Sequence, residues 1–167
     1  MSAASFGVRA FVALGANIGE PVKHLRAAVD DLAALPGTRV VARSSLYRSA
    51  PVGLLNQPDF INAVVSVDTD LPPIDLLRQL LAIEARHGRV RSIPNAPRTL
   101  DLDLLLHGDR QQDEPELTLP HPRMHERAFV LLPLLEIAPD VRIPGLGAAR
   151  DFLPDVIDQA ITRSESM

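Results

Sequence analysis

One run of residues constrains the fold more than any other: Arg98-Thr99-Leu100-Asp101-Leu102-Asp103-Leu104-Leu105-Leu106. Leu100, Leu102, Leu104 and Leu106 alternate with Asp101 and Asp103, the period-2 pattern of a half-buried strand. Successive side chains of a strand point to opposite faces, so both carboxylates emerge on one side and the leucines cover the other. Their Cα atoms then lie roughly 6.5–7 Å apart, from a rise of about 3.3 Å per residue. Carboxylates at that spacing can converge on a pair of divalent ions about 3.5–4 Å apart. Asp is a poor strand former, so two on one face call for a reason. Taken alone, the run also fits a solvated strand face.

A chain of 167 residues is expected to form a single domain, 1–167, with a core large enough to need no staples. A net charge of -4 argues against a general nucleic-acid binder, which would carry a basic stripe. With no cysteine, thiolate catalysis and cysteine metal sites are excluded. No uninterrupted apolar segment is long enough to span a membrane, and Met1 to Val8 lack the pattern of a signal peptide. A soluble cytoplasmic protein is the default expectation.

In chain order, Arg9 to Gly15 reads as a buried strand, and Gly15-Ala16-Asn17-Ile18-Gly19 as a tight turn. Pro21 opens a helix whose apolar stripe is Leu25, Ala28, Val29, Leu32 and Leu35; Pro36-Gly37 stops it. Thr38 to Tyr47 reads as the second strand, Ser49 to Asp59 as a loop, and Phe60 to Val67 as the third strand. Its alternation sets Phe60, Asn62 and Val64 on one face. An Asn beside an aromatic early in a strand is unusual; tying off a loop and binding a ligand explain it equally well. A second helix follows Leu71-Pro72-Pro73, with a stripe of Ile74, Leu77, Leu80 and Leu81, and Glu84 near that face.

Arg86 closes this helix, where a cation complements the helix dipole. Arg89, Arg91 and Arg98 bracket a Pro-containing loop, expected to be mobile, that feeds into the carboxylate strand. Arginines that clamp phosphate oxygens and carboxylates that hold Mg²⁺ are together the equipment of phosphoryl transfer. Beyond the strand, His121 is held between Pro120 and Pro122, either a surface loop histidine or a rigidly presented functional one. A helix is expected to begin near His125 and Arg127, with Phe129, Leu132 and Leu135 in the core and Pro133 kinking it. A last helix is expected over Arg150 to Ile161, and a frayed tail over Thr162 to Met167.

Six motifs then occur in one order: Phe11-Val-Ala-Leu-Gly-Ala-Asn17, Ser45-Leu-Tyr-Arg-Ser-Ala-Pro51, Gln57-Pro-Asp-Phe-Ile-Asn-Ala63, Arg89-Val-Arg91, Pro97-Arg-Thr-Leu-Asp-Leu-Asp103 and Leu119-Pro-His-Pro122. This order resembles the 6-hydroxymethyl-7,8-dihydropterin pyrophosphokinases of folate synthesis, from about residue 10 to residue 140. The resemblance implies a ferredoxin-like α+β fold, an antiparallel sheet backed by helices, with the active-site cleft on the open face. It implies transfer of pyrophosphate from ATP to the hydroxymethyl group of the pterin, with release of AMP. ATP and the pterin are then the small-molecule partners, and a monomer that binds neither nucleic acid nor membrane is expected.

By resemblance, Asp101 and Asp103 bind two Mg²⁺ ions; with Arg89 and Arg98 they are the expected catalytic residues. Arg89, Arg91, Arg98, His121 and Arg127 match contacts to the triphosphate and nucleotide, and Glu84 sits at a nucleotide-side position. Asn62 matches the amide that reads the pterin, and Phe60 and Phe129 the aromatic pair that sandwiches it. Ser49, Ala50 and Val52 match the loop at the pterin's polar edge. Many members carry a Trp before the Pro-Arg pair; here Ala96 takes that place and the chain has no Trp. Ser92 and Pro122 stand where many members have Lys and Tyr.

Two other classes compete. A nucleotidyltransferase would use the same carboxylate strand but release pyrophosphate. A non-catalytic ferredoxin-like binding module would keep the Phe60, Asn62 and Phe129 pocket without needing Asp101, Asp103 and Arg98.

Overall fold

The structure is a computed structural model that describes residues 7–51, 56–88 and 99–167. Its frame is β1 (Val8–Ala16), α1 (Pro21–Ala33), β2 (Thr38–Arg43), β3 (Tyr47–Ser49), β4 (Phe60–Thr69), α2 (Pro73–Arg86) and β5 (Asp101–His107). Short pieces follow: β6 (Gln112–Asp113), β7 (Thr118–Leu119), α3 (Ala128–Ile137), β8 (Arg142–Ile143), β9 (Gly147–Ala148), α4 (Leu153–Val156) and β10 (Ile161–Arg163). The main sheet runs β10-β3-β4-β1-β5, with β2 also paired to β4. Every pairing in it is antiparallel. A β-α-β-β-α-β chain with β1 and β4 central is the ferredoxin-like arrangement, the α+β fold expected.

The alternation of β1 and β4 sorts their side chains to two cores. Ala10, Val12, Leu14, Ile61, Ala63, Val65 and Val67 meet α1 and α2 on one face. Leu25, Ala28, Val29 and Leu32 of α1 are buried as the periodicity predicts. On α2 the buried set is Leu76, Leu80, Ile83 and Glu84 rather than Ile74, Leu77, Leu80 and Leu81. Ile74 and Leu77 pack only at the margin of that core. Fully burying a Leu or Ile contributes about 1.5–3 kcal/mol, so the sheet contact fixes the rotation of α2. On the other face Phe11, Ala13 and Val64 meet Ala128, Val130, Leu131 and Leu134 of α3. Phe129, Leu132 and Leu135 pack against this core as expected but only partly buried, and the buried positions of the helix are Ala128, Val130, Leu131, Pro133 and Leu134.

β5 keeps its expected alternation only as far as Leu104. Val12 faces Leu104 while Phe11 faces Leu106, so Leu105 is an extra residue, a β-bulge. Leu102 and Leu104 therefore join the α1/α2 core, and Leu105 and Leu106 both join the α3 core. The Leu105 carbonyl accepts the His121 N–H at 2.9 Å, which ties the loop after β7 to the carboxylate strand.

Three further expectations are corrected. The stretch from Thr38 to Tyr47 is two strands, because the Ser44 hydroxyl accepts the Val64 N–H at 2.9 Å and turns the chain there. The helix expected over Arg150 to Ile161 is a 3₁₀ turn at Ala149–Phe152 followed by the single turn α4. The tail is not frayed: β10 pairs with β3, the Leu46 N–H donates to the Glu165 carbonyl at 2.7 Å, and the Ser164 N–H donates to that of Leu46 at 2.8 Å. Arg163 anchors it by donating to the Ser45 hydroxyl at 2.8 Å and to Glu136 at 3.0 Å. Glu136 also accepts the Ser45 N–H and the Tyr47 hydroxyl. Burial alone would raise this carboxyl; its hydrogen bonds to Ser45 and Tyr47, with Arg163, outweigh that and hold it below its ordinary value. Burial, then the bond to Glu136, pushes Tyr47 up to about 12.

Candidate active site

The register of the central strands sets Asp101, Gly15 and Asn62 side by side across β5, β1 and β4. Asp103, Ala13 and Val64 form the next row on the same face. Neighbouring strands lie about 4.8 Å apart, so Asp101 and Asn62 stand roughly 10 Å from each other with only a glycine between them. Ala13 and Gly15 thus make a low floor flanked by carboxylates on one side and an amide on the other. A cavity of about 530 Å³ opens above it, within the range of small-molecule sites.

The amide side is built from β3 and β4. Ser49 pairs with Phe60, and Tyr47 with Asn62. Asn62 is 4% exposed, and its Nδ2 donates to the Ser49 hydroxyl at 2.8 Å and to the Tyr47 carbonyl at 3.3 Å. Both amide donors' directions are therefore fixed by strand backbone and a neighbouring hydroxyl, which orients the group before any ligand arrives. The loop before Phe60 is held by Asn17, whose Nδ2 donates to Gln57 Oε1 at 2.7 Å and to the Pro58 carbonyl at 3.0 Å.

The opposite wall comes from the start of α3. Phe129 lines the cavity, half-buried, with the Arg127 guanidinium 5.4 Å from its ring centroid. A cation over an aromatic face is attracted to it, so the two side chains brace each other at the rim. Phe60 lines the same space from β4.

Behind the carboxylates, β5 is the edge of the main sheet. Glu84, 2% exposed, reaches from α2 and its Oε2 accepts the Leu102 N–H at 2.7 Å. It takes the place of a missing neighbour strand and fixes the peptide between Asp101 and Asp103. His121 Nδ1 accepts the Arg123 N–H at 3.2 Å, so its proton sits on Nε2. Burial, and then Arg127, push this imidazole down to about 4, with Asp101 acting the other way and Arg123 adding to the fall. His121 is thus neutral at pH 7.

Of the residues singled out in the sequence, Ser49, Ala50, Phe60, Asn62, Asp101, Asp103, Arg127 and Phe129 all line this one cavity. Glu84 does not line it; it supports the strand from behind. His121 does not line it either, and stands close enough to Asp101 and Arg127 to feel both charges. Val52, Arg89, Arg91 and Arg98 lie outside the described residues. The cavity also takes in Gly15, Arg123, Glu126 and Gln159, which the sequence reading passed over. Gly15 was legible as a strand-end glycine and Arg123 follows the Leu119-Pro-His-Pro122 motif; Gln159 carried no signal, lying in a stretch that reads as helix.

The family model for 7,8-dihydro-6-hydroxymethylpterin-pyrophosphokinase (HPPK) matches residues 11–139. A 2-amino-4-hydroxy-6-hydroxymethyldihydropteridine pyrophosphokinase of Pseudomonas aeruginosa is 52% identical over 136 residues, covering 81% of this chain and 84% of that protein. One of Methylorubrum extorquens is 47% identical over 157 residues, covering 94% and 99%. Among solved structures, wild-type Plasmodium falciparum HPPK-DHPS superposes with a TM-score of 0.70 at 15% identity, over 90% of this chain and 45% of that one. At that identity the likeness bears on the fold alone, and this chain spans less than half of that protein. The family match covers most of the strands and loops that build the cavity, and by it the chain belongs to the 7,8-dihydro-6-hydroxymethylpterin-pyrophosphokinase family.

Proposed function

We propose that this cavity is where the chain carries out its family's reaction. The chain is an ATP-dependent diphosphotransferase of folate biosynthesis, moving pyrophosphate from ATP to the hydroxymethyl group of 6-hydroxymethyl-7,8-dihydropterin and releasing AMP. The pterin lies at the amide end, read by Asn62 and the Ser49–Val52 segment and held between Phe60 and Phe129. The triphosphate lies at the carboxylate end, met by Arg127 and His121, and by Arg89, Arg91 and Arg98. The observation that carries this reading is the register Asp101–Gly15–Asn62, which sets the two half-sites side by side across a bare floor.

Asp101 and Asp103 suit Mg²⁺, and two ions are proposed. Both offer hard oxygen donors from one strand face, and Mg²⁺ characteristically takes one or two carboxylates and completes its shell with phosphate oxygens and water. When bound, Mg²⁺ would neutralise triphosphate charge and favour displacement at the β-phosphorus.

The chain's own part is positioning and charge. Asn62 and the two phenylalanines aim the hydroxymethyl group at the phosphate end. Its oxygen gives up its proton to water and forms a bond to the β-phosphorus as the bond from that phosphorus to the α,β-bridging oxygen breaks, and AMP leaves with that oxygen. Holding the two reactants in line contributes most of the acceleration in such reactions, with electrostatic stabilisation. In the free protein His121 is neutral and presents its Nε2 proton as a donor for the phosphate end. We propose that the enzyme works as a monomer in the cytoplasm; no helix among the described residues is long and apolar enough to cross a membrane.

The test is to incubate the protein with ATP, Mg²⁺ and hydroxymethyldihydropterin and identify the products. One AMP per pterin diphosphate is expected. Release of pyrophosphate would instead indicate a nucleotidyltransferase, and pterin binding without turnover a binding module.

A further inference from the structure

Gln159 and its neighbour Ala160 line the cavity from a segment remote in sequence from the other lining residues. Its side chain makes two hydrogen bonds, and they fall on either side of Arg127. The Oε1 accepts the Ala128 N–H at 2.9 Å, and the Nε2 donates to the Glu126 carbonyl at 2.9 Å. Arg127 is the N-cap of α3 and supplies no side-chain cap; the Ala128 N–H is one of the helix's orphan donors, and Gln159 satisfies it. The Arg127 carbonyl in turn accepts the Val130 and Leu131 N–H groups at 3.1 and 3.0 Å. The two peptides flanking Arg127 are thus locked by one amide, which has the donor and the acceptor that such a clamp needs.

Gln159 is itself fixed at both ends. Its N–H donates to the Val156 carbonyl at 3.0 Å. Two residues on, β10 begins and Ile161 pairs with Ser49, whose hydroxyl accepts from Asn62. One short segment therefore joins the wall that carries Arg127 to the strand that orients the amide side.

We propose that Gln159 is a positioning residue of this enzyme, setting the backbone of Arg127 so that its guanidinium addresses the bound nucleotide, and that the C-terminal segment thereby completes the active site. The inference rests on the reading above that Arg127 contacts ATP. Gln159 acts through Arg127 and has no chemical role of its own.

The test is a double-mutant cycle on kcat/KM in the full chain, using Gln159→Ala, Arg127→Ala and the pair, with thermal melts of each. A misplaced contact in an active site can cost on the order of 10²-fold, so Gln159→Ala is expected to lower kcat/KM roughly 10- to 100-fold. Arg127→Ala should lose at least as much, and the pair should lose no more than Arg127→Ala alone, the signature of residues acting as one unit. Gln159→Glu keeps the acceptor for Ala128 but sets an oxygen against the Glu126 carbonyl; it should lose activity despite its equal size, and it carries the cycle should the Ala variant not fold. Losses that multiply in the pair, or that follow only the melting temperature, overturn the inference, as does full activity in Gln159→Glu. A silent Gln159→Ala beside an impaired Arg127→Ala overturns the inference alone. A silent Arg127→Ala overturns the reading of the site as well, and the inference with it.

Discussion

Acidification should destabilise the apo protein through one side chain in particular, His121. In the unfolded chain this imidazole titrates near 6.5, and in the folded chain at about 4. Between those values the unfolded state binds a proton that the folded state refuses, so stability falls as pH falls. The contribution is fully present above pH 6.5, is lost progressively down to about pH 4, and changes no further below it. At about 1.4 kcal/mol per pH unit, the displacement amounts to about 3 kcal/mol over the window, a large fraction of a typical domain's stability. The structural cause is twofold: the ring is withdrawn from water beside Arg127, and its Nδ1 already accepts the Arg123 N–H, a bond that protonation would break. The assay is urea unfolding of wild type and His121→Asn at several pH values between 7 and 4. With a slope of about 2 kcal/mol per molar urea, the wild-type midpoint should drop by about 1.5 M more than that of the variant. His24, lowered by burial and by His87, titrates in both proteins and cancels in the difference. Parallel midpoint profiles for the two proteins would refute the argument.

Two more perturbations separate the ends of the cavity from the frame around it. Phe129→Ala should weaken pterin binding by about 1–3 kcal/mol, the range for stacking on an aromatic face in nucleic-acid cases, and leave ATP binding much less affected; calorimetry with each ligand reads the split, and equal losses would make Phe129 a packing residue. Glu136→Gln should cost about 2–3 kcal/mol in urea unfolding, because Ser45, Tyr47 and Arg163 all lose a charged acceptor, while the Kd for pterin changes little; unchanged stability would show that the tail is not held through Glu136.

The ferredoxin-like frame was legible in the sequence, as was the alternation that groups the candidate site residues on one face, and several local features were not. Asp101 and Asp103 were legible because a strand with two carboxylates on one face is rare and the period-2 pattern sets both on that face. Period-2 alternation also set Phe60 and Asn62 on one face, and their assignment to a ligand came from the family resemblance alone. The bulge at Leu105 was not legible, because Leu104, Leu105 and Leu106 are identical and no pattern marks the residue at which the face changes. The rotation of α2 was misjudged because apolar residues occupy most of positions 74–83 and the one buried carboxylate, Glu84, breaks the rule that charge faces water. It is buried because a backbone N–H of an edge strand awaits it, and that partner lies on another element. The end of the chain was misread for a related cause: Ile161-Thr-Arg163 is too short and polar to signal a strand, and what orders it is Ser45 and Glu136, more than a hundred and more than twenty residues earlier. Gln159 belongs to the same class. Contacts between distant segments decided each of these positions, and local periodicity is blind to them.

The most direct test of the account is the rate of AMP release from ATP, Mg²⁺ and hydroxymethyldihydropterin by Asp103→Ala, in protein that melts like wild type and still binds the pterin. Asp103 shares the cavity with Asn62 and Phe129 but sits on the far side of the Ala13–Gly15 floor, so its loss should abolish turnover and spare the pterin half-site. Near-normal AMP release from this variant would contradict the assignment of the carboxylate strand to the phosphate end, and with it the division of the cavity into two half-sites.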